Sequence, residues 1–191
     1  MEKLKVLDLF SGIGGFSLGL ERTGGFETVA FCEIEPFCRR VLAKHWPHLP
    51  CYDDIRTLTA ERLAADGIAV DVICGGFPCQ RFSTASRGRR VATDFWPEME
   101  RLINELRPPI VIAENVAELR IRRSAYELRE IGYKTISRRI GAHEIGADHE
   151  RSRWWLCAYT NNQGELFSSL NAEVARMSSL RDSVWGAENY A

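Results

Sequence analysis

Short apolar runs alternate with segments of helical periodicity along most of the chain, and this alternation restricts the possible folds. The predicted strands are residues 6–10, 28–32, 52–55, 70–74, 110–113, 135–140 and 154–159. The predicted helices are residues 16–21, 35–45, 60–65, 95–106 and 124–131. Strands that alternate with helices are typical of an α/β protein with a doubly wound, mostly parallel sheet.

The pattern weakens after Thr160, which sets the expected domain boundary. The chain has 191 residues, of which 45% are hydrophobic and 27% charged, so it can bury the core of one ordinary domain. We expect residues 1–160 to form that domain and residues 161–191 to form a short C-terminal tail. An amphipathic stretch over residues 170–180 is the only regular pattern in the tail.

Charge and cysteine content exclude some classes of protein. The net charge is −1, which gives no general argument for binding nucleic acid. None of the six cysteines forms a C-x-x-C pair, so we expect no zinc ribbon and no metal. The start has no secretory apolar stretch, and no run is long enough to cross a membrane. A cytoplasmic protein with reduced thiols is expected.

One cysteine follows a predicted buried strand in an unusual context. The strand at residues 70–74 leads into Gly75-Gly76-Phe77-Pro78-Cys79. The glycines permit a sharp turn, and the proline fixes the approach to the thiol. Open α/β sheets place their ligand crevice at the carboxyl ends of strands, where a thiolate is a candidate nucleophile. A buried structural cysteine is the alternative, but packing alone requires neither the glycines nor the proline.

A second group of residues follows the first three predicted strands. The turn Ser11-Gly12-Ile13-Gly14-Gly15 comes after the first strand, Glu33 ends the second, and Asp54 lies in the third. Glu33 could accept hydrogen bonds from ribose hydroxyls, and Asp54 from an adenine amino group, with Phe10 as an apolar wall. The turn has no lysine or arginine for a pyrophosphate, which favours a nucleoside without phosphates, such as S-adenosylmethionine. The alternatives are a helix N-terminal acid for Glu33, a turn former for Asp54 and a core residue for Phe10.

Four ordered motifs resemble those of the DNA cytosine-5 methyltransferases. They occupy residues 8–15, 76–83, 114–116 and 149–153, and the resemblance covers residues 4–160. Pro-Cys-Gln followed by Glu-Asn-Val at this spacing is highly specific. The resemblance implies the Rossmann-like fold of S-adenosylmethionine-dependent methyltransferases, with residues 1–160 as the catalytic domain.

The resemblance also implies roles for individual residues. Cys79 is the implied nucleophile, Glu114 the acid that contacts the base, and Arg151 and Arg153 the arginines of the base site. The residues implied around the cofactor are Phe10, Gly12, Ile13, Gly14, Glu33, Asp54, Ile55, Phe77 and Pro78.

Cytosine chemistry explains why these residue types are required. Addition of a thiolate at carbon 6 breaks the aromaticity, so that carbon 5 becomes nucleophilic. A protonated Glu114 at ring nitrogen 3 promotes that addition, while Arg153 could hold the exocyclic oxygen. Because a base inside a duplex cannot reach such a pocket, it must be flipped out. The residues expected to hold DNA during flipping lie on an exposed loop: Arg81, Ser83, Arg87, Arg89 and Arg90. Further phosphate contacts are expected from Arg120, Arg122 and Arg123.

The end of the chain differs from the family pattern, which leaves several readings open. Family members continue into a target-recognition domain and a final helix, so this chain resembles the catalytic half alone. Its expected partners are double-stranded DNA and either a separate C-terminal polypeptide or a second copy in a homodimer. The alternatives are a half with little activity alone, an RNA cytosine-5 methyltransferase, and a catalytically silent binding protein. A thiol-redox enzyme is less favoured, because no resolving cysteine forms a C-x-x-C pair.

Overall fold

The computed structural model describes residues 2–78 and 94–160. The strands are β1 (Leu4–Leu9), β2 (Phe26–Cys32), β3 (Cys51–Tyr52), β4 (Val72–Gly76), β5 (Ile110–Asn115), β6 (Lys134–Gly141) and β7 (Ser152–Tyr159). The α-helices are α1 (Gly15–Arg22), α2 (Pro36–His45), α3 (Ala60–Ala65), α4 (Trp96–Leu106) and α5 (Glu118–Glu130). A short 3₁₀ helix, Ala142–Ile145, links β6 to β7.

The strands form one seven-stranded sheet in the order β3-β2-β1-β4-β5-β7-β6. Neighbours from β3 to β5 are parallel, whereas β7 is antiparallel to both β5 and β6. The α/β class and the mostly parallel sheet predicted from the sequence are confirmed. The carboxyl ends of β1, β2, β4 and β5 therefore share one edge of the sheet, which we call the carboxyl edge.

Helices lie on both faces of the sheet. The larger core joins inward residues of the strands, such as Leu7 and Val111, to Leu63 of α3, Leu102 of α4 and Leu128 of α5. The opposite face has a smaller cluster, formed by Val6, Val72, Cys74 and Ile110, against which Phe16 and Leu20 of α1 pack. Alternate residues of each strand supply the two clusters, as the two-residue period of a strand requires.

Local sequence signals explain where several helices begin and end. Pro36 lies in the first turn of α2, where its missing N–H has no intrahelical partner to lose. The Thr59 hydroxyl caps α3 by accepting a hydrogen bond from the Arg62 N–H at 3.2 Å. Helix α4 ends at Leu106. The next residue, Arg107, has a left-handed φ of 49° and precedes two prolines.

Three element boundaries differ from the sequence prediction. Strand β5 continues through Glu114 and Asn115, which the apolar pattern placed after the strand. Strand β3 is confined to Cys51–Tyr52, because the carboxylate of Asp54 binds the backbone N–H of Arg56 and turns the chain. Helix α5 begins at Glu118 rather than near residue 124. The apolar pattern missed its first turns because the charged residue Arg120 occupies a buried position there.

Two regions of the sequence prediction lie outside the described residues. They are the arginine-rich loop at residues 81–93 and the amphipathic stretch at residues 170–180. Within residues 2–78 and 94–160, no helix combines the length and the apolar character needed to span a bilayer.

A buried acid joins β1 to α1. Asp8 is fully buried, and its Oδ2 accepts hydrogen bonds from the Ser17 hydroxyl at 2.7 Å and the Ser17 N–H at 3.3 Å. Burial raises the pKa of Asp8 to about 7, although the bonds from Ser17 act in the opposite direction. The protonated carboxyl is therefore the form that the fold favours.

We expect Asp8→Asn to change how stability depends on pH. Between about pH 4 and pH 7 the folded protein holds a proton that the unfolded chain has lost, so the contribution of Asp8 to stability decreases as pH rises. The neutral amide of Asp8→Asn should remove that decrease. Relative to the unchanged protein, the free energy of unfolding of the variant should therefore be about 1–2 kcal/mol higher at pH 8 than at pH 4, since structural relaxation absorbs part of the cost of burying the charge. Urea unfolding across this pH range measures the difference. The exposed Asp53→Asn is the control, and equal pH dependence in both variants would contradict the expectation.

Candidate active site

The candidate residues converge on the carboxyl edge because the strands that carry them are parallel. The turn from Phe10 to Gly14 follows β1, and Glu33 follows β2. Gly76 ends β4 directly opposite Glu114 of β5. The residues thus come from four neighbouring strands and lie at one edge of the sheet, which is the usual ligand position in such folds.

The glycine turn after β1 has a backbone that requires glycine. Gly12 and Gly14 have φ angles of 55° and 90°, in the left-handed region that glycine adopts without steric cost. A Cβ at Gly14 would also lie 2.6 Å from the ring of Trp46, which follows α2. The turn is therefore fixed by its neighbours, while the side chain of Ile13 between the two glycines is 61% exposed.

Glu33 binds this turn directly. Its carboxylate accepts the Gly12 N–H at 2.6 Å and the Glu35 N–H at 2.8 Å, one on each oxygen. The residue is 8% exposed. Since a carboxylate offers about four acceptor positions, both oxygens can still accept hydrogen bonds from a ligand. The same side chain can thus shape the turn and bind a ligand above it.

The other residues proposed around the cofactor have different environments. Phe10 has a φ of 52° and packs its ring 6.1 Å from that of Phe95. Ile55 is buried in the main core. The Asp54 carboxylate is bound by the guanidinium of Arg56 at 2.5 Å, and this contact holds the pKa of Asp54 below its usual value. An adenine that bound Asp54 would therefore have to share its carboxylate with Arg56.

Phe77 and Pro78 lead from β4 to the proposed nucleophile. The ring of Phe77 is buried against Trp96, with ring centroids 5.0 Å apart, so only its backbone remains for a ligand. Pro78 is exposed, and its carbonyl accepts the Phe95 N–H at 3.3 Å. This bond holds together the two ends of the segment from residue 79 to residue 93.

The acid and one arginine proposed for the base site form an ion pair. Arg153 Nε lies 2.8 Å from Glu114 Oε1. Arg151 and Arg153 border, together with Glu114, a cavity of about 450 Å³ on the α1 side of the sheet. A Cβ at Gly76 would be 2.8 Å from Glu114 Oε2, so the glycine leaves room for the carboxylate beside β4.

The protonation of Glu114 depends on two opposing effects. Burial raises the pKa of this carboxyl above its usual value, and the charges of Arg153 and Arg151 lower it in part. Burial is the larger effect. A carboxyl whose pKa is raised by burial keeps its proton to higher pH than an exposed one, which suits a general acid.

Asn115 has a different role from the one that its sequence position suggests. Adjacency to Glu114 in the sequence favours a role in orienting that acid, but the Asn115 Nδ2 donates to the Phe77 carbonyl at 2.9 Å. Its Oδ1 accepts the Ala117 N–H, also at 2.9 Å. Asn115 therefore ties the end of β5 to the backbone two residues before Cys79. Its place in the Glu-Asn-Val motif was the only sequence signal for it.

Arg120 was expected to contact phosphates, together with Arg122 and Arg123, and for Arg120 this is wrong. Its side chain is buried at 3% exposure, with Nε 3.0 Å from Asp94 Oδ2 and Nη2 3.4 Å from Glu127 Oε2. Its guanidinium also lies 5.6 Å from the Trp96 ring centroid. The helical spacing of Arg120 and Glu127 was a signal for the inward pair, but Asp94 is distant in the sequence.

Several proposed residues lie outside the described part of the chain. They are Cys79, Arg81, Ser83, Arg87, Arg89 and Arg90. The described residue before Cys79 is Pro78, which follows the end of β4 at the carboxyl edge. Among the described cysteines, burial raises the pKa of Cys32 and Cys157 to about 12 and holds that of Cys74 well above its usual value. These thiols are poor candidates for a thiolate nucleophile.

Comparison with known proteins gives one consistent match. A family model for C-5 cytosine-specific DNA methylases matches residues 4–185. The type II methyltransferase M1.HphI of Haemophilus parahaemolyticus is 36% identical over 165 residues, which cover 78% of this chain and 44% of that protein. M2.BsuMI of Bacillus subtilis is 32% identical over 186 residues, which cover 89% of this chain and 46% of the relative. The chain thus spans about half the length of these relatives.

Solved structures show the same fold. A proposed DNA modification methyltransferase encoded within a prophage of E. coli has a TM-score of 0.71 at 31% identity, over 85% of this chain and 48% of that one. The S. pombe Dnmt2 methyltransferase has a TM-score of 0.67 at 24% identity, over 83% of this chain and 51% of that one. At this identity the second likeness supports the fold alone.

Proposed function

The chain belongs to the C-5 cytosine-specific DNA methylase family, and we propose on that basis that it transfers a methyl group to carbon 5 of cytosine in DNA. One observation carries the proposal. The Glu114–Arg153 pair lies beside Gly76, three residues before Cys79, in the crevice of the sheet. An acid, a cation and a thiol are the groups that cytosine addition requires.

Family membership implies a methyl donor, and we propose that the donor is S-adenosylmethionine. The residues after β1 and β2 fit its nucleoside part, because Glu33 offers acceptors for ribose hydroxyls and Ile13 an exposed apolar side chain. The turn also brings no cation that would favour a phosphate chain. When bound, this cofactor supplies a methyl group on a positively charged sulfur. Phe10, Gly12, Gly14, Asp54, Ile55, Phe77 and Pro78 complete the proposed pocket.

Glu114 and Arg153 are proposed to act together on the flipped base. Arg153 binds the exocyclic oxygen of cytosine, with Arg151 on the same cavity. When Arg153 turns to the base, its charge moves away from Glu114, so the main influence that lowers the pKa of Glu114 weakens. The arriving base thus favours the protonated acid, which donates to ring nitrogen 3.

Cys79 is the proposed nucleophile. Its thiolate forms a bond to carbon 6 of the base, and the electron pair displaced from the carbon 5–carbon 6 double bond makes carbon 5 nucleophilic. After carbon 5 has been methylated, water accepts its proton and the electron pair re-forms the carbon 5–carbon 6 double bond. This expels the Cys79 thiolate, and ring nitrogen 3 returns its proton to Glu114, which restores the ring. The cations Arg151 and Arg153 at the same edge favour the thiolate form.

The substrate surface and partners complete the proposal. We infer that the chain acts in the cytoplasm on double-stranded DNA, with Arg81, Ser83, Arg87, Arg89 and Arg90 at the phosphates of the flipped nucleotide. Residues 1–160 form the catalytic domain and residues 161–191 a tail. A separate C-terminal polypeptide or a second copy supplies the surface that reads base edges across the crevice.

Covalent trapping tests the proposed function. Duplex DNA with 5-fluorocytosine should form a denaturation-resistant adduct with the chain in the presence of S-adenosylmethionine, because fluorine cannot leave as a proton does. We expect Cys79→Ser to abolish the adduct and Cys38→Ser, the same change at a partly exposed thiol, to leave it intact. A C-terminal half from a relative is supplied in a parallel reaction. Equal trapping by Cys79→Ser would contradict the proposal.

We expect Glu33→Gln to weaken binding of S-adenosylmethionine by about 1.5–3 kcal/mol, the usual contribution of hydrogen bonds to a charged acceptor. The amide keeps the shape of the side chain but loses the charge and one acceptor. Titration calorimetry measures the affinity, with the exposed Glu35→Gln as a control that should bind as the unchanged protein does. Unchanged affinity in a folded Glu33→Gln protein would remove Glu33 from the cofactor site.

A further inference from the structure

Positive charge is concentrated in the segment that forms α5 and β6. Residues 118–139 contain seven lysines and arginines and three glutamates, a net charge of +4, whereas the whole chain has a net charge of −1. Arg120 is buried between Asp94 and Glu127, but the other cations of this segment lie on the surface. A basic surface on a chain that is slightly acidic overall indicates an anionic ligand at that surface.

A cleft lies between α5 and β6 within this basic segment. The cleft, which we call the α5–β6 cleft, has a volume of about 470 Å³ and is lined by Arg122, Ala125, Tyr126, Arg129, Thr135 and Ser137. Thr135 and Ser137 lie opposite Ala158 and Leu156 of β7, whose side chains belong to the main core. The cleft is therefore on the α5 face of the sheet, and the cavity that Glu114 borders is on the other face. It opens at the edge strand, β6.

The lining of the α5–β6 cleft supplies hydrogen-bond donors, and no described carboxylate belongs to it. It contains two guanidinium groups and three hydroxyls. Arg129 Nη1 donates to Thr135 Oγ1 at 3.1 Å, and within the described ranges Arg129 forms no ion pair. Arg122 is paired with Glu118 at 2.7 Å, but its side chain is 70% exposed, so the pair is weak and a phosphate can replace the carboxylate. Guanidinium and hydroxyl groups are common ligands of phosphate oxygens.

The spacing of the cleft residues on α5 matches a nucleic-acid strand. Arg122, Tyr126 and Arg129 follow one another at intervals of four and three residues, so they form one stripe of the helix. The two arginines are about 10 Å apart along the helix axis. One strand of a nucleic acid rises by about 3.4 Å per phosphate, so this separation corresponds to phosphates about three nucleotides apart.

The ring between the two arginines favours a single strand over a free nucleotide or a duplex. Tyr126 is 59% exposed, and an aromatic ring between cations is the arrangement on which unpaired bases stack. A free nucleotide presents its phosphates as one compact group, which proteins bind with a glycine-rich turn or the first turn of a helix. The cleft has neither, because its cations lie in the second and last turns of α5.

We propose that the α5–β6 cleft binds a single nucleic-acid strand. Arg122 and Arg129 bind phosphates of the strand, a base stacks on the ring of Tyr126, and the hydroxyls of Thr135 and Ser137 bind backbone oxygens at the edge of the sheet. This surface lies outside the crevice in which the proposed methyl transfer takes place. The inference rests on the charge and shape of the cleft, and it does not depend on the proposed function.

The salt dependence of binding to the full chain tests the phosphate contacts. Fluorescence anisotropy measures the affinity for a short labelled oligothymidine, which lacks the cytosine of the proposed reaction. We expect the double change Arg122→Gln, Arg129→Gln to weaken binding about tenfold and to lower the slope of log affinity against log salt by about 1.4, since each phosphate contact on a single strand contributes about 0.7. Arg40→Gln with Arg138→Gln removes the same charge at exposed arginines outside the cleft and should leave the slope unchanged. Equal slopes for the two double variants would overturn the proposal.

Substitution of the ring tests the stacked base separately from the charges. Tyr126→Ala should bind the oligothymidine about tenfold more weakly with an unchanged salt slope, because a stacked base is lost and no phosphate contact is. Phe37→Ala removes another exposed ring beside an arginine, outside the cleft, and should bind as the unchanged protein does. The same loss with oligouridine would extend the site to RNA and support the proposal. Equal binding by Tyr126→Ala and Phe37→Ala, or competition by thymidine monophosphate as strong as that by the oligothymidine, would overturn it.

Discussion

Replacing Arg120 by methionine is expected to lower the free energy of unfolding by about 3 kcal/mol. The side chain is buried, and it carries ion pairs to Asp94 and Glu127 and a stacking contact with Trp96. Breaking a buried pair by removing one partner typically costs about 3–5 kcal/mol, because a charge is left without compensation. The lower value is expected here, since the two carboxylate side chains are 25% and 22% exposed and can be hydrated in part.

The same substitution at Arg122 is the control for this expectation. Arg122 lies on the same helix and forms an ion pair with Glu118 at 2.7 Å, but its side chain is 70% exposed. Exposed pairs contribute about 0–1 kcal/mol, so Arg122→Met should be close to neutral. Urea unfolding at pH 7 compares the two variants. A loss for Arg120→Met no larger than that for Arg122→Met would mean that burial adds nothing to the pairs of Arg120.

Replacing Glu114 by glutamine is expected to lower the rate of methyl transfer by about 10²–10⁴-fold, the usual contribution of a positioned general acid. The amide can donate a hydrogen bond to the base but cannot transfer a proton. The pH profile gives a sharper result than the rate alone. If Glu114 acts in its protonated form, the rate of the unchanged enzyme falls as pH rises through the raised pKa of this acid. The glutamine variant should lack that fall.

Glu118→Gln is the control that distinguishes the loss of a general acid at Glu114 from the loss of any nearby negative charge. Glu118 begins α5, four residues after Glu114, and is paired with the exposed Arg122. We expect this variant to keep the rate and the pH profile of the unchanged enzyme. The assay follows methyl incorporation into duplex DNA, with a relative's C-terminal half present if the chain alone is inactive. If the rate of Glu114→Gln still falls as pH rises in the way that the unchanged enzyme does, that fall belongs to the titration of another group.

The sequence predicted which residues lie at the carboxyl edge of the sheet more reliably than it predicted which side chains they contact there. Glu33 and Gly12 were both expected at the carboxyl edge, and they meet there because the ends of adjacent parallel strands are neighbours. Glu114 and Arg153 were both expected at the base site, and register with an antiparallel strand brings them together. The contact between them, however, depends on rotamers that no periodicity encodes.

Contacts between distant residues explain what the sequence could not predict. Arg120 resembles a surface cation until Asp94, which is far away in the chain, is placed beside it by α4. The same inward position conceals the start of α5, because a charged residue interrupts the apolar stripe from which the helix was predicted. Asn115 similarly finds its partner at Phe77, 38 residues earlier, through the pairing of β4 with β5.

Because the Phe95 N–H is hydrogen-bonded to the Pro78 carbonyl, the segment between these two residues can be replaced by another sequence. Its two ends already meet in the folded body, so the entropy of closing the segment depends only weakly on its length. A short glycine-serine bridge in place of residues 79–93 should therefore leave the sheet and its helices folded. Such a protein would keep Glu33 and Glu114 and lack Cys79, giving a scaffold for measuring ligand affinity without turnover. Segments from relatives can be transplanted between the same two anchor residues.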